Sequence, residues 1–161
     1  MELIKIGKIV NTHGIKGELR LLSKFPYKDK VFINNMNIYI DKKDIEVINT
    51  YRKHKNFDMI TLKGYSNINE VLKYKGKNVY VNKEDIILND KEYLDEEIIG
   101  MTAIYKDDIM GTVTDIERYD KITLLKIDNN DRYYLMPYNY NLIDKIDDNK
   151  IYIKNIDGLF D

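Results

Sequence analysis

The stretch His13-Gly14-Ile15-Lys16-Gly17-Glu18-Leu19-Arg20 decides the fold class of this chain. Gly14 and Gly17 mark a shaped turn, because glycine reaches positive φ with the least strain. After the turn, Leu19 and Leu21 alternate with charged neighbours, which is the period of a strand with one buried face. An apolar alternating segment also precedes the turn. The stretch therefore predicts a β-hairpin closed by a glycine-containing loop.

The side chains around this hairpin loop suggest what it contacts. Lys16 and Arg20 are cationic, and His13 opens the loop. Cationic groups on a shaped loop suit phosphate or nucleic-acid backbone surfaces. We predict that His13, Lys16 and Arg20 bind RNA and that Gly14 and Gly17 shape the loop. An ordinary glycine-containing hairpin is the alternative.

Other short segments in the first half repeat the strand pattern. A helix interrupts them: Asn67-Ile68-Asn69-Glu70 has the spacing of a capping box, and Gly76 ends the helix. Gly7 predicts a bulge or a close approach in the first strand. Many short strands with one short helix predict a small closed barrel over residues 1–84. The predicted strands are 3–10, 18–22, 37–40, 45–51, 59–63 and 78–81.

The second half predicts another small barrel over residues 98–161, again from short β-rich segments between Asp- and Asn-rich turns. The predicted strands are 100–105, 110–116, 122–127, 132–136 and 151–153, with a single helical turn over 141–145. Residues 85–97 are polar and acidic and are predicted as a linker. The fold class is thus mainly β, with two small β-barrels joined by a short linker.

The linker also contains apolar residues that need a partner. Residues 86–88 are aliphatic, and Tyr93-Leu94 comes directly before the second barrel. Apolar groups in a connector dock on their own chain or on another protein. Both alternatives are open for residues 86–88 and for Tyr93 and Leu94.

The densest basic run is Arg52-Lys53-His54-Lys55, with Tyr51 before it and Phe57 close after it. Basic residues beside aromatic rings are typical of RNA contact, with charge for phosphate and rings for bases. We predict Arg52, Lys53, His54 and Lys55 as RNA-binding residues. A solvated hairpin loop is the alternative.

Charge is distributed unequally along the chain. Residues 1–87 contain 17 Lys and Arg against 10 Asp and Glu, a net charge of +7, whereas residues 88–161 contain 9 against 17, a net charge of −8. A basic half suits RNA phosphate, and an acidic half suits a basic protein. The alternative is a solvated surface whose two halves attract each other.

Several classes of function lack support in the sequence. There is no cysteine, and the two histidines have no neighbouring ligand pattern, so we expect no metal and no cofactor. No nucleophile, phosphate-loop or dinucleotide motif is present, and we expect no catalytic residues and no enzyme activity. Lys5 and Lys8 interrupt the N-terminal apolar residues, and no apolar run approaches about 20 residues. We therefore expect a monomeric cytoplasmic protein without a membrane partner.

Taken together, the motifs resemble the RimM family of ribosome maturation factors over essentially the whole chain. The hairpin sequence from Gly7 to Arg20 is similar to the family's hallmark, and the basic run with the following Met59 to Gly64 is similar to its second block. The second half is similar to a PRC-barrel domain. Its matching segments are Ile98-Ile99-Gly100-Met101, Gly111-Thr112-Val113-Thr114-Asp115-Ile116, Leu135-Met136-Pro137-Tyr138 and Asp157-Gly158-Leu159-Phe160.

The resemblance implies a translation-factor-like N-terminal barrel and a C-terminal PRC barrel. It implies an assembly factor for the head of the small ribosomal subunit that assists rRNA processing. The implied partners are a basic head protein (number nineteen of that subunit), small-subunit ribosomal RNA and precursor subunits. A stand-alone RNA-binding module is the alternative.

The chain departs from the family pattern at two places. The family often has two adjacent aromatics before the PRC domain, tied to protein binding, and here Leu94 replaces the second. Tyr119-Asp120-Lys121 also alters the Asn-Asp loop of that domain. We assign protein binding to Tyr93 and Leu94.

Overall fold

The computed structural model describes residues 1–160. The chain folds into two compact units. The first unit is Met1–Asn89, and the second begins at Asp90. Residues 90–97, predicted as part of a linker, group with the second unit, and helix α3 (Asp95–Ile98) begins within them. A 3-10 turn at Lys83–Asp85 follows the last strand of the first unit.

The first unit is a closed six-stranded barrel with the strand order β1-β2-β5-β4-β3-β6. All of its pairings are antiparallel. The closed barrel expected from the sequence is present. Its strands are β1 (Leu3–His13), β2 (Glu18–Leu22), β3 (Asn37–Ile40), β4 (Asp44–His54), β5 (Phe57–Leu62) and β6 (Asn78–Asn82).

The barrel core consists of the apolar residues at alternate strand positions, because every second side chain of a strand points inward. Leu19 and Leu21 of β2 are fully buried there, together with Ile60 and Leu62 of β5. The register of β1 shifts beside Gly7, where a Cβ would lie 2.9 Å from the Leu22 carbonyl oxygen. The predicted bulge and close approach at this glycine are confirmed.

Two short helices complete the first unit. Helix α2 (Ile68–Val71) has the predicted capping box: the Asn67 side chain accepts from the Asn69 N–H at 2.9 Å, and Glu70 accepts from the Asn67 N–H at 3.1 Å. A 3-10 turn, Leu72–Tyr74, extends it. Helix α1 (Lys28–Val31) is not predicted by the sequence, because one turn gives too little periodicity to detect.

The second unit is a six-stranded sheet with the order β10-β9-β8-β7-β12-β11, in which β7 and β12 run parallel. The mainly β prediction is confirmed; where the sequence predicts a second small barrel, the structure has a six-stranded sheet whose order ends at β10 and β11. The helical turn predicted over 141–145 is present as a 3-10 turn slightly earlier, at Tyr140–Leu142, and residues 143–147 form a strand that the sequence analysis does not predict. The strands are β7 (Thr102–Tyr105), β8 (Asp108–Arg118), β9 (Thr123–Asp128), β10 (Tyr133–Pro137), β11 (Ile143–Asp147) and β12 (Lys150–Ile153).

Candidate functional site

Four neighbouring strands, β1, β2, β5 and β4, place most of the predicted RNA-binding residues on one outer surface of the first barrel. His13 pairs with Glu18, while Arg20 and Arg52 both pair with Met59, from opposite sides. Directly paired residues share a face of the sheet. We define the cationic face as the side chains of His13, Glu18, Arg20, Arg52 and His54.

Met59 forms the apolar floor of the cationic face. The side chains of Asp58 and Ile60, its neighbours in β5, point into the barrel. The side chain of Met59 therefore points to the outer surface. Met59 is nevertheless 0% exposed. Arg20 and Arg52 pair with Met59 from the two neighbouring strands, so their side chains lie on the same face as Met59 and on either side of it. In the sequence, only the alternation of side chains along β5 indicates that Met59 lies beneath the cationic face.

Arg20 is held in place by two contacts, one with His13 and one with Phe57. Its Nη2 donates to His13 Nδ1 at 2.8 Å, and its guanidinium carbon lies 4.9 Å from the centre of the Phe57 ring. Arginine has no acceptor, so His13 Nδ1 must be the unprotonated nitrogen, and His13 Nε2 then carries a proton that it can donate. The buried Arg20 Nε makes no hydrogen bond within residues 1–160.

Glu18 is the acidic member of the cationic face and holds Arg52. Arg52 donates to the two Glu18 carboxylate oxygens at 2.9 and 2.7 Å, the bidentate arrangement. These hydrogen bonds lower the pKa of Glu18 and raise the pKa of Arg52. The pair orients the Arg52 guanidinium and also reduces the net charge that it presents.

His54 lies 5.5 Å from His13, ring centre to ring centre, with the rings tilted by 54°. Desolvation lowers the pKa of His54, and the positive charge of Arg52 lowers it further. An approaching anion would oppose that second effect, because it favours the protonated imidazole. The pKa of His54 therefore depends on the charges around it on the cationic face.

Lys53 is separated from the rest of the basic run. Most of that run is not a loop: residues 52–54 belong to β4, so neighbouring side chains point to opposite faces. The Lys53 Nζ lies 3.6 Å from the carboxylate of Asp58, which is 0% exposed. The structure thus brings Arg52 and His54 to the cationic face and turns Lys53 away from it.

Asp58 is the centre of a polar cluster that sequence reasoning missed. Its carboxylate accepts from Lys28 Nζ at 2.8 Å and from the Tyr51 hydroxyl at 2.6 Å. Desolvation, followed by the hydrogen bond to Asp58, raises the pKa of Tyr51. Lys28 belongs to α1, so this cluster fastens that helix to the hairpin of β4 and β5. The feature of the sequence that indicates this cluster is an aspartate at a strand position whose side chain points inward.

The two hairpin tips carry Lys16 and Lys55, both exposed. Lys55 has φ +55° in the turn between β4 and β5. Gly14 and Gly17 have φ +69° and +91°, as the loop prediction requires. Gly17 is also buried, and a Cβ there would lie 3.3 Å from the Asn67 carbonyl oxygen.

The segment before the second sheet is folded onto its own unit. Tyr93 is half-buried and packs against the core of the second unit, and Leu94 is 4% exposed. Glu97 accepts from the Leu94 N–H at 2.9 Å, and Arg118 holds Asp95 through both carboxylate oxygens. Of the two predicted protein-binding residues, Tyr93 therefore presents accessible surface, and Leu94 anchors the segment.

Residues 1–160 contain neither a cluster of metal-ligating side chains nor a membrane-spanning helix. No group of three or more His, Cys, Asp or Glu side chains is arranged to hold a metal ion there. None of the helices in this range has the length and apolar character needed to cross a bilayer.

Fold and surface together define a mainly β protein of two units whose closed barrel carries a cationic outer face. Over residues 4–86 the sequence matches the family described as the RimM N-terminal domain. The chain belongs to the RimM family.

Relatives extend the match beyond the first unit. A protein named ribosome maturation factor RimM from an Exiguobacterium species is 38% identical over 120 residues, 72% of this chain and 70% of the relative. A protein of the same name from Staphylococcus saprophyticus is 34% identical over 167 residues, 98% of this chain and 99% of the relative. The solution structure of the N-terminal domain of RimM from Thermus thermophilus covers 55% of this chain and 98% of that chain, at 19% identity and a TM-score of 0.48.

Proposed function

We propose that this chain is a cytoplasmic ribosome maturation factor for the small subunit. It binds immature small-subunit ribosomal RNA and a basic protein of the subunit head, protein number nineteen. The observation that carries the proposal is the cationic face, which gathers His13, Arg20, Arg52 and His54 from two separate sequence motifs. The name of the relatives, ribosome maturation factor, supports the same process.

The cationic face suits RNA because it offers donors of several kinds. Arg20 and Arg52 lie on one face on either side of Met59, each held by its own partners, and a guanidinium group can bind two phosphate oxygens at once. The exposed Lys16 and Lys55 extend the positive surface to the two hairpin tips. Because these groups are positioned before binding, less side-chain freedom is lost when RNA binds.

The second unit suits a basic protein. Residues 88–161 have a net charge of −8, which favours approach of a cationic partner. Tyr93 is partly exposed and packs against the core of the second unit, which restricts its position. An aromatic group held in this way is typical of binding hot spots. Leu94 contributes by anchoring Tyr93.

The proposed action is binding without bond making. Holding RNA on one unit and a ribosomal protein on the other raises the effective concentration of each for the other. A factor that binds the assembly-competent RNA conformation more tightly also shifts the RNA towards it. Release follows when the mature surface no longer fits.

The RNA half of the proposal is tested with the double variant Arg20→Met, Arg52→Met in the full chain. Affinity for small-subunit ribosomal RNA should fall, and the slope of log K against log salt should shrink by about two if each arginine contacts a phosphate. The matched control is Lys42→Met, Lys43→Met, which removes two exposed charges from the turn between β3 and β4. Equal effects of the two double variants would mean that the cationic face is not the binding surface.

The protein half is tested with Tyr93→Ala and calorimetric titration of the full chain with the purified head protein. Binding should weaken by at least tenfold, the usual scale for an aromatic hot spot. Tyr93→Phe is the control for packing, since it keeps the ring in the core. Unchanged affinity of a folded Tyr93→Ala variant would refute the assignment. Intact RNA binding with no protein binding by the wild type would instead support the stand-alone RNA-binding module.

A further inference from the structure

Ile15 is a large aliphatic side chain at the tip of the β1–β2 hairpin, and it is 77% exposed. A single exposed aliphatic residue is ordinary in itself. This one differs from Ile45, which is 62% exposed in β4, because its loop is fixed to the body of the barrel and borders the cationic face.

Several contacts fix the loop on both sides of Ile15. The Ile68 N–H, at the start of α2, donates to the Ile15 carbonyl oxygen at 2.9 Å. Gly14 and Gly17 have φ +69° and +91°, and Gly17 lies against the backbone of Asn67. The main chain of Ile15 is thus positioned while its side chain lies in solvent. Such an arrangement presents the side chain to a partner at little cost in backbone entropy.

The surroundings of Ile15 identify the chemistry of that partner. Lys16 is its neighbour, and Arg20 and His13 lie at the base of the same hairpin. An apolar tip surrounded by cations fits a polyanion that also offers apolar surface. RNA has both features, because phosphates line its backbone and each unpaired base exposes a flat face.

We propose that Ile15 packs against an unpaired base of the RNA that the cationic face holds. The inference rests on the proposed function and adds to it a preference for unpaired over fully paired RNA. In a continuous duplex the base faces are stacked on one another and are closed to a side chain. The contact is apolar, so it adds affinity without a change in the number of phosphates neutralised.

The experiment compares Ile15→Ala with the wild-type full chain in binding to small-subunit ribosomal RNA transcribed in vitro, over a range of salt concentrations. Ile15→Ala should weaken binding by roughly five- to tenfold, from the apolar area lost, with the salt slope unchanged. Lys16→Ala should instead shrink the slope by about one. Ile45→Ala is the matched control and should leave both quantities as in the wild type.

The outcomes distinguish a failure of the proposed function from a failure of the Ile15 contact alone. A wild type with no affinity for the RNA overturns the proposed function and this inference with it. A wild type that binds while Ile15→Ala binds equally well overturns the inference alone. With a fully paired RNA duplex as the probe, Ile15→Ala should bind like the wild type. A comparable loss on the duplex would refute the contact with an unpaired base.

Discussion

Replacing Asp58 by asparagine should destabilise the first unit strongly, although the side chain keeps its size. The carboxylate is 0% exposed and accepts from Lys28 and Tyr51 at 2.8 and 2.6 Å. An amide carries no charge, and its NH₂ group cannot accept. Lys28 would therefore lose its counter-ion, and one of the two donors would lose its acceptor.

The magnitude follows from the burial of the partners. A hydrogen bond that involves a charged group contributes about 1.5–3 kcal/mol, and removal of one partner of a fully buried ion pair costs about 3–5 kcal/mol. The side chain of Lys28 is 29% exposed and can turn towards water, which reduces the loss. We therefore expect about 2–3 kcal/mol. For a unit of this size that lowers the unfolding temperature by about 10–20 °C.

Differential scanning calorimetry of the full chain measures this change, with the transition of the second unit as an internal reference. Asp44→Asn is the matched control, because Asp44 is exposed at the start of β4. It should shift stability by no more than about 0.5 kcal/mol. If Asp58→Asn also stayed within that range, the buried carboxylate would not be what fastens α1 to the β4–β5 hairpin.

Three further predictions concern the cationic face and the second sheet. The pKa of Glu18 is lowered from its usual 4.5, chiefly by Arg52. The stability advantage of the wild type over Glu18→Gln should therefore be present above pH 4.5 and disappear as the pH falls through the folded-state value, as followed by urea unfolding. The pKa of His54 is lowered from 6.5, first by desolvation. Protonation of His54 thus opposes folding, so the wild type should lose stability relative to His54→Gln as the pH drops below 6.5. In a separate measurement, NMR titration of the His54 imidazole should show that its pKa rises when RNA binds. Gly111→Ala would place a Cβ 2.5 Å from the Asp128 carbonyl oxygen. It should destabilise the second unit by about 3 kcal/mol and leave the calorimetric transition of the first unit in place.

Local chemistry made much of the fold predictable. Alternation of apolar residues located all but one of the strands of the two units, since a half-buried strand has a period of two wherever it lies. The capping box at Asn67 and the bulge at Gly7 were also predictable, because both depend on residues close together in sequence. The single turn of α1 and the strand at Ile143–Asp147 were not, since neither has a distinct local period.

The candidate site was only partly predictable. The two basic motifs indicate contact with an anionic polymer from sequence alone, without knowledge of how the strands pair. The sequence treated Arg52 to Lys55 as one basic loop, whereas β4 points Arg52 and His54 outward and leaves Lys53 beside Asp58. It also gave Tyr93 and Leu94 the same role, and the structure buries Leu94.

By itself, the sequence determined the β class, the loop glycines, the opposite charges of the two halves and the positions of the basic residues in the two motifs. Tertiary structure alone decided which of those residues share one face of the barrel. Arg20 and Arg52 are 32 positions apart, and only the pairing of β2 and β4 on either side of β5 brings them over Met59. The physical reason is that strand register is set by long-range pairing and by the packing of the whole barrel. A shift of one residue in that register would exchange the cationic face for the side chains that now fill the core.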